Sequence, residues 1–274
     1  MHKSDWFTSI MRRTRLKKPN QLFTKYADKI IAKSLTVLPC AKILHQTDRP
    51  DQINFDDLPD SYVIKPNHAS GYVVIVIGNQ MYLGHTHAKE PYDRDKVRQM
   101  CHEWMKIKRY SRNQPWYHEI KPCIIIEEYL HITDEIRFYL IHRKIIMIEH
   151  EKASFNSEVQ TCGWYNAKWK PIEIRCKWPI EYHESFVSSI KDVLDDISEK
   201  IENDPHNLFD YVRLDTYLIR ESDDTVPQFY FSEWTFAPGG FKVPFQPDSV
   251  EILLGDILLH RDVTSHESVN LLSM

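Results

Sequence analysis

Polar and apolar residues recur along this chain with two periods. Over residues 22–38 the apolar positions Phe23, Tyr26, Ala27, Ile30 and Ile31 return at steps of three and four, which predicts a helix. The same step runs through residues 93–109, with Val97, Met100, Cys101, Trp104 and Ile107 on one side. It returns from about 185 to 201 with Phe186, Ile190, Val193, Leu194, Ile197 and Ile201. Elsewhere the runs are short and β-rich. Asp57-Leu58-Pro59-Asp60 breaks the chain before residues 62–65, which read as a buried strand. A polar turn at 67–71 precedes a second β-rich run at 72–77, so a hairpin with a mobile tip is expected. Further strands are predicted at 123–129, 136–141, 144–149, 211–219 and 228–234. Antiparallel strand groups separated by single helices make an α+β order. No GxGxxG follows the first strand, so a Rossmann fold is not predicted.

Composition narrows the class. The 274 residues are 42% apolar and 27% charged, enough for a sizeable core in one compact unit with two lobes. A net charge of -4 argues against bulk electrostatic binding to nucleic acid and against a metal-dependent nuclease. Cys40, Cys101, Cys123, Cys162 and Cys176 are scattered with no CxxC pair, so free thiols are expected and a disulfide framework or structural zinc is not. No signal-peptide core follows the N-terminus, and no run has the ~18 apolar residues of a membrane span, so a cytoplasmic protein is expected. Residues 11–18 form a basic run, read as a solvated helix face or arm, with a peripheral membrane or other anionic contact as the alternative.

Three segments carry candidate chemistry. Lys65 leaves its strand beside the small-residue turn Asn67-His68-Ala69-Ser70-Gly71. A lysine so placed can present its charge to a polyphosphate while backbone N–H groups of the turn cover the phosphates, although no Walker A pattern is present. Ile124-Ile125-Ile126-Glu127-Glu128-Tyr129-Leu130 ends a strand in two carboxylates, which can read an adenine amino edge and ribose hydroxyls or be an ordinary acidic strand end. Arg213 and Asp215, two apart on a strand, share a face. If the 228–234 strand pairs beside it, Asp215 and Glu233 converge as a hard cation requires; the plainer alternative is an Arg–Asp surface ion pair. His85-Thr86-His87 lacks a third metal ligand. Trp164, Trp169, Trp178 and Trp234 suit either sugar stacking or packing.

In this order the segments resemble the ATP-grasp superfamily, most closely its TupA-like (teichuronopeptide biosynthesis) branch. The resemblance runs from about Leu22 to Leu258. It rests on Thr24–Lys29, Leu58–Gly71, Trp116-Tyr117, Pro122–Leu130, Arg137-Phe138-Tyr139, Val212–Tyr217 and Glu233–Phe241. It implies two α+β lobes with mostly antiparallel sheets clasping ATP. A basic arm and helical region would cover 1–58, a small lobe 59–130 and a large lobe 131–274.

By the same resemblance Lys65 would touch the α/β-phosphates and His68, Ser70 and Gly71 would lie in the covering loop. Glu127, Glu128, Tyr129 and Leu130 would meet adenine, and Glu135 or Asp134 the ribose. Lys25 or Lys29 would be a second nucleotide lysine. Asp215 and Glu233 would hold Mg2+, with Thr235 acting through water, and Arg213 would steady the γ-phosphate or an acylphosphate. The implied activity is ATP- and Mg2+-dependent amide formation between a small-molecule or glycan carboxylate and an amine, in cell-surface or capsular polysaccharide assembly. The alternatives are phosphotransfer to a glycan hydroxyl and a degenerate, non-enzymatic scaffold. Three departures stand out. Ala69 replaces the first glycine of the family's His-Gly-Ser-Gly loop, Thr235 stands where Asn is common, and no full substrate domain precedes the nucleotide lobes.

Overall fold

The computed structural model describes residues 6–15, 21–84, 88–107, 114–152, 161–174, 187, 190–220, 225–242 and 244–260. The expectations for residues 16–18, His85, Thr86, His87, Cys176, Trp178 and Phe186 lie outside these. The chain forms two compact units. One gathers Pro19–Ser34 and Cys40–Leu130; the other gathers Met1–Lys18, Leu35–Pro39 and His131–Met274. Among the described residues, no helix is long and apolar enough to cross a membrane.

The first unit is built on a six-stranded sheet. Its strands are β1 (Ile43–Thr47), β2 (Ser61–Pro66), β3 (Val74–Ile77), β4 (Gln80–Leu83), β5 (Ala88–Pro91) and β6 (Ile124–Glu128). They lie in the order β1-β6-β2-β3-β4-β5, every pair antiparallel. The predicted hairpin is β2 and β3. Strand period two sorts the side chains. Tyr62, Ile64, Val74, Val76, Met81, Ile124 and Ile126 form one apolar cluster with Val97, Cys101 and Trp104 of a helix, while Lys65 and Glu127 fall on the other face.

That helix is α3 (Arg94–Met105), shorter than the 93–109 expected. Asp93 caps its start by accepting from the N–H groups of Asp95 and Lys96. At its end Lys106 and Ile107 donate three residues back, to Glu103 and Trp104, and the tightened turn stops the helix. The helix expected over 22–38 is also cut short. α2 spans Gln21–Ala27, and a single 3-10 turn follows at Ala32–Ser34. Asp28 Oδ1 takes the Ile30 N–H at 2.9 Å, and the Lys29 N–H goes to the Asn67 carbonyl at 3.2 Å. Side-chain capture of a backbone donor competes with helix continuation.

The second unit carries a five-stranded antiparallel sheet, ordered β11-β10-β7-β8-β9. The strands are β7 (Ile132–Ile141), β8 (Lys144–Lys152), β9 (Cys162–Asn166), β10 (Tyr211–Ile219) and β11 (Gln228–Thr235). One face presents apolar Ile136, Phe138, Leu140, Ile148, Leu214 and Leu218, all buried. Helix α4 (Lys191–Glu202) buries Leu194, Ile197 and Ile201 and is tied to β8 through Glu202. That carboxylate accepts from the Ile145 N–H at 2.9 Å and pairs with Lys144 at 2.7 Å. Trp164, Trp169 and Trp234 are buried, and the Trp234 indole donates to the Leu35 carbonyl at 3.2 Å. They pack the core and do not offer a sugar platform. Cys162 is disulfide-bonded, against the expectation of free thiols, and its partner lies outside the described residues. Sequence spacing does not report which thiols a sheet edge brings together.

The basic segment begins in a helix, α1 (Phe7–Arg15), which is the helix-face alternative of its reading. Arg12 and Arg13 are exposed, as a solvated face requires, but Arg15 is buried and paired with Asp210. α1 is fastened to α5 (Asp248–Leu259) by Glu251, whose side chain is fully buried. Its carboxylate accepts from the Thr8 N–H (2.8 Å), the Thr8 hydroxyl (2.9 Å) and the Phe245 N–H (2.7 Å). Removing a shared acceptor strands all its buried donors. Glu251→Ala is therefore expected to destabilise the protein by about 3 kcal/mol, read as a lower urea midpoint, with Glu251→Gln losing less. Equal midpoints for all three proteins would contradict this role.

Candidate functional site

Each unit gathers charged groups on one face of its sheet. In the first unit β2 and β6 run side by side, with Val63 opposite Glu127 and Lys65 opposite Ile125, so Lys65 and Glu127 are diagonal neighbours on one face. Lys65 Nζ lies 2.7 Å from Glu127 Oε2, and Lys33 Nζ lies 3.1 Å from Oε1 of the same carboxylate. Lys33 also donates to the Ala41 carbonyl at 2.9 Å. Burial pushes the Glu127 carboxyl up, but Lys65 and Lys33 outweigh it and hold it below the usual carboxylate range. The nearby Cys40 thiol is pushed up, chiefly by burial.

The turn after β2 is set by Asn67, which is 2% exposed. Its side-chain amide donates to Asp28 (3.2 Å) and to the Lys121 carbonyl (3.1 Å), and its Oδ1 accepts from the Cys123 N–H (2.8 Å). His68 points inward, its ring nitrogens 3.1 Å from Asn67 Oδ1 and 3.2 Å from the Trp104 carbonyl. Burial lowers its pKa, so the ring is neutral at pH 7. Ser70 and Gly71 are exposed, and Gly71 takes φ 82°, a backbone conformation that side chains rarely allow. Lys29 Nζ donates to the Ala69 carbonyl at 2.7 Å, whereas Lys25 is exposed on α2. Glu128 accepts from the Lys42 N–H at 2.8 Å, and Tyr129 and Leu130 follow it, half-buried.

In the second unit the face opposite the apolar one carries Glu135, Arg137 and Tyr139 on β7, Glu149 and Glu151 on β8, Arg213 and Asp215 on β10, and Glu233 and Thr235 on β11. Register places Arg137 beside both Asp215 and Glu149, and Asp215 opposite Glu233. Arg137 reaches Glu135 (2.6 Å), Glu151 (2.5 Å) and Glu149 (3.5 Å). Arg213 grips both oxygens of Asp215, Nε at 2.6 Å and Nη2 at 2.5 Å. Thr235 Oγ1 is 3.2 Å from Asp215 Oδ2 and 3.2 Å from Glu233 Oε1. Asp134, the alternative ribose partner, is on the apolar face, held by His150 at 2.7 Å. Glu135 is thus the one of the two on the charged face.

Among the described residues, this face carries five carboxylates and two guanidiniums. Burial and the neighbouring Glu135 and Glu149 leave the Glu151 carboxyl raised in spite of Arg137. Against burial, Arg137 is held protonated chiefly by Glu135 and Glu149, and Arg213 by Asp215. The Thr235 hydroxyl has one proton and cannot donate to both carboxylates at once. Asp215, Glu233 and that hydroxyl are hard oxygen donors of the kind Mg2+ takes, so these residues fit the ion. Sequence reasoning missed Lys33, Glu149 and Glu151, and it named Asn67 only as part of the covering turn. The one available signal was the four-residue spacing of Lys25, Lys29 and Lys33, and it pointed to a helix that ends too early to use it.

Comparison with known proteins agrees with the class that this fold and these clusters define. The model of the TupA-like ATPgrasp family matches residues 7–259, and the chain belongs to that family. It is accordingly an ATP-grasp ligase, an enzyme class whose cofactors are ATP and Mg2+. No curated protein matches the chain. Among solved structures it is similar to a D-alanine–D-alanine ligase from Bacillus anthracis complexed with ATP, at 17% identity and TM-score 0.49, over 90% of this chain and 68% of that one. A RiPP-associated ATP-grasp ligase from Chryseobacterium gregarium, in complex with ADP and a leader and core peptide, is 14% identical with TM-score 0.43, over 91% and 64%. An L-amino acid ligase from Bacillus licheniformis is 15% identical with TM-score 0.41, over 80% and 45%.

The depressed Glu127 carboxyl has a consequence in acid. A group whose folded pKa lies below its unfolded value, about 4.3 for Glu, stabilises the fold above that value and loses the contribution as pH falls through the folded one. Melting temperatures followed downward from about pH 6 are expected to fall more steeply for wild type than for Glu127→Gln. Parallel curves would show that the lysines do not hold this carboxylate.

Proposed function

We propose that this protein is an ATP- and Mg2+-dependent carboxylate–amine ligase that forms an amide through an acylphosphate. The observation that carries the reading is the meeting of Asp215, Glu233 and Thr235 beside Arg213, on a face with more carboxylates than guanidiniums. Such a face suits a divalent cation whose remaining ligands are phosphate oxygens and water. Lys65 would offset charge on the α/β-phosphates, and the 67–71 turn would lend backbone N–H groups to them. Glu135 would accept from the ribose hydroxyls.

The chemistry has two steps. A substrate carboxylate oxygen takes the γ-phosphoryl group of ATP, ADP leaves, and an acylphosphate forms. The amine nitrogen then attacks the acyl carbon, the C–O bond to phosphate breaks, and the nitrogen gives up a proton. Bound Mg2+ would neutralise charge on the phosphoryl oxygens. Arg213 would steady charge that develops on the phosphoryl or acyl oxygens, which is positioning and electrostatics rather than covalent chemistry. The TupA-like membership supports a uronic acid or amino acid as one substrate, in assembly of a cell-surface polysaccharide.

Hydroxylamine tests the acylphosphate directly, since it can replace the amine and convert an activated carboxylate to a hydroxamate. With ATP, Mg2+ and a panel of uronic and amino acids, wild type is expected to form hydroxamate from at least one acid. Asp215→Asn and Glu233→Gln should each cut that rate about 100-fold or more. ADP release with a stable phosphoester and no hydroxamate would indicate phosphotransfer to a hydroxyl instead.

A further inference from the structure

Tyr211 opens β10 two residues before Arg213 and four before Asp215, so the three side chains share the charged face. It is 1% exposed. Phe7 meets its ring edge-on with centroids 4.9 Å apart, and Phe241 packs against it at 5.9 Å. Arg15 fixes the backbone there by donating to the Tyr211 carbonyl at 3.1 Å. The Tyr211 hydroxyl, however, is buried with no hydrogen-bond partner among the described residues. Tyr139 on the same face makes the contrast, since its hydroxyl donates to Glu149 at 2.9 Å. A buried hydroxyl left unpaired works against the fold, so one held this firmly calls for a partner in another state of the site. Burial pushes its pKa up and keeps it protonated, and of the charged groups around it Arg213 acts on it most strongly.

Arg213 is also the group that must move. A guanidinium has five N–H donors, and here Nε and Nη2 close on the two oxygens of Asp215 at 2.6 and 2.5 Å. Thr235 lies 3.2 Å from the same carboxylate. A divalent cation and a guanidinium compete for the same oxygens and repel each other. For Asp215 to act as a metal ligand, Arg213 must therefore give up at least one of them. Its side chain is only 15% exposed, so the freed donor needs a new acceptor close by. The next side chain along the same face of β10 is Tyr211, whose hydroxyl oxygen can accept.

We propose that Tyr211 is a positioning residue that acts through Arg213: its hydroxyl accepts the guanidinium N–H that Asp215 releases when Asp215 turns to Mg2+. In the free protein Arg213 neutralises Asp215. In the metal-bound state it is held by Tyr211, with its remaining donors directed at phosphoryl or acyl oxygens. This rests on the Mg2+ and ATP reading above and adds to it how the site exchanges one cation for another without stranding a buried charge.

Tyr211→Phe removes the hydroxyl alone and tests this in two measurements on the full-length protein. The first is the melting temperature without ligand. Tyr211→Phe should match or exceed wild type, whereas Tyr139→Phe, which breaks a bond already present, should fall below it. The second is ATP affinity by calorimetry, with Mg2+ and with a chelator. Tyr211→Phe is expected to bind chelated ATP as wild type does, while the tightening by Mg2+ shrinks at least 5-fold. In an Arg213→Met background Tyr211→Phe should change nothing further; if Arg213→Met does not fold, the single variant decides. A wild-type Mg2+ effect in Tyr211→Phe would overturn the proposal and leave the ligase reading standing. So would a lowered ligand-free melting temperature, the mark of an ordinary structural hydroxyl, or a further loss in the double variant. A wild type whose ATP affinity ignores Mg2+ would overturn both.

Discussion

The arrangement depends on one constraint: a charge on the half-buried face of a sheet must be matched there by another. In the first unit the match is Glu127 between two lysines; in the second it is Arg137 and Arg213 among five carboxylates. The period of two along each strand makes this possible. It sends Ile64, Ile124 and Ile126, or Ile136, Phe138 and Leu214, to an apolar side and leaves the other side for chemistry. These clusters are largely buried, with Glu127 3% and Asp215 8% exposed, so removing one partner would leave an uncompensated charge.

The two clusters differ in composition. Around Glu127 two lysines share one carboxylate. Around Asp215 the described carboxylates outnumber the guanidiniums. Asn67 spends its whole side chain on the base of a turn whose exposed tip, Ser70 and Gly71, is where contact with phosphate is proposed.

Much of this was legible in the chain itself. The β2–β3 hairpin and strands β10 and β11 announce themselves by clean runs between polar breaks. The shared face of Arg213 and Asp215 follows from their spacing, and their meeting with Glu233 needed only that the two strands pair. What could not be read depends on distant partners. Glu127 read as an adenine contact or an ordinary acidic strand end, because the lysines that claim it come from β2 and from a turn ninety-odd residues earlier. The 22–38 helix failed because Asp28 and Asn67 capture its backbone donors, and that same failure carries Lys33 to Glu127. Strands β1, β4, β5 and β9 are four or five residues long and lack the unbroken apolar run that marks the equally short β3 and β6. The family resemblance supplied the order of the segments, whereas the structure supplied which groups within them touch.

The central claim is that the carboxylate-rich face of the second unit takes a metal-bound nucleotide. Its most direct measurement is the Mg2+ dependence of ATP affinity, titrated with Mg2+ and with a chelator, for wild type and for Asp215→Asn/Glu233→Gln. The account predicts that Mg2+ tightens ATP binding to wild type at least 10-fold and leaves the double variant unchanged. A wild-type affinity indifferent to Mg2+, or a double variant that responds to it as wild type does, would contradict it.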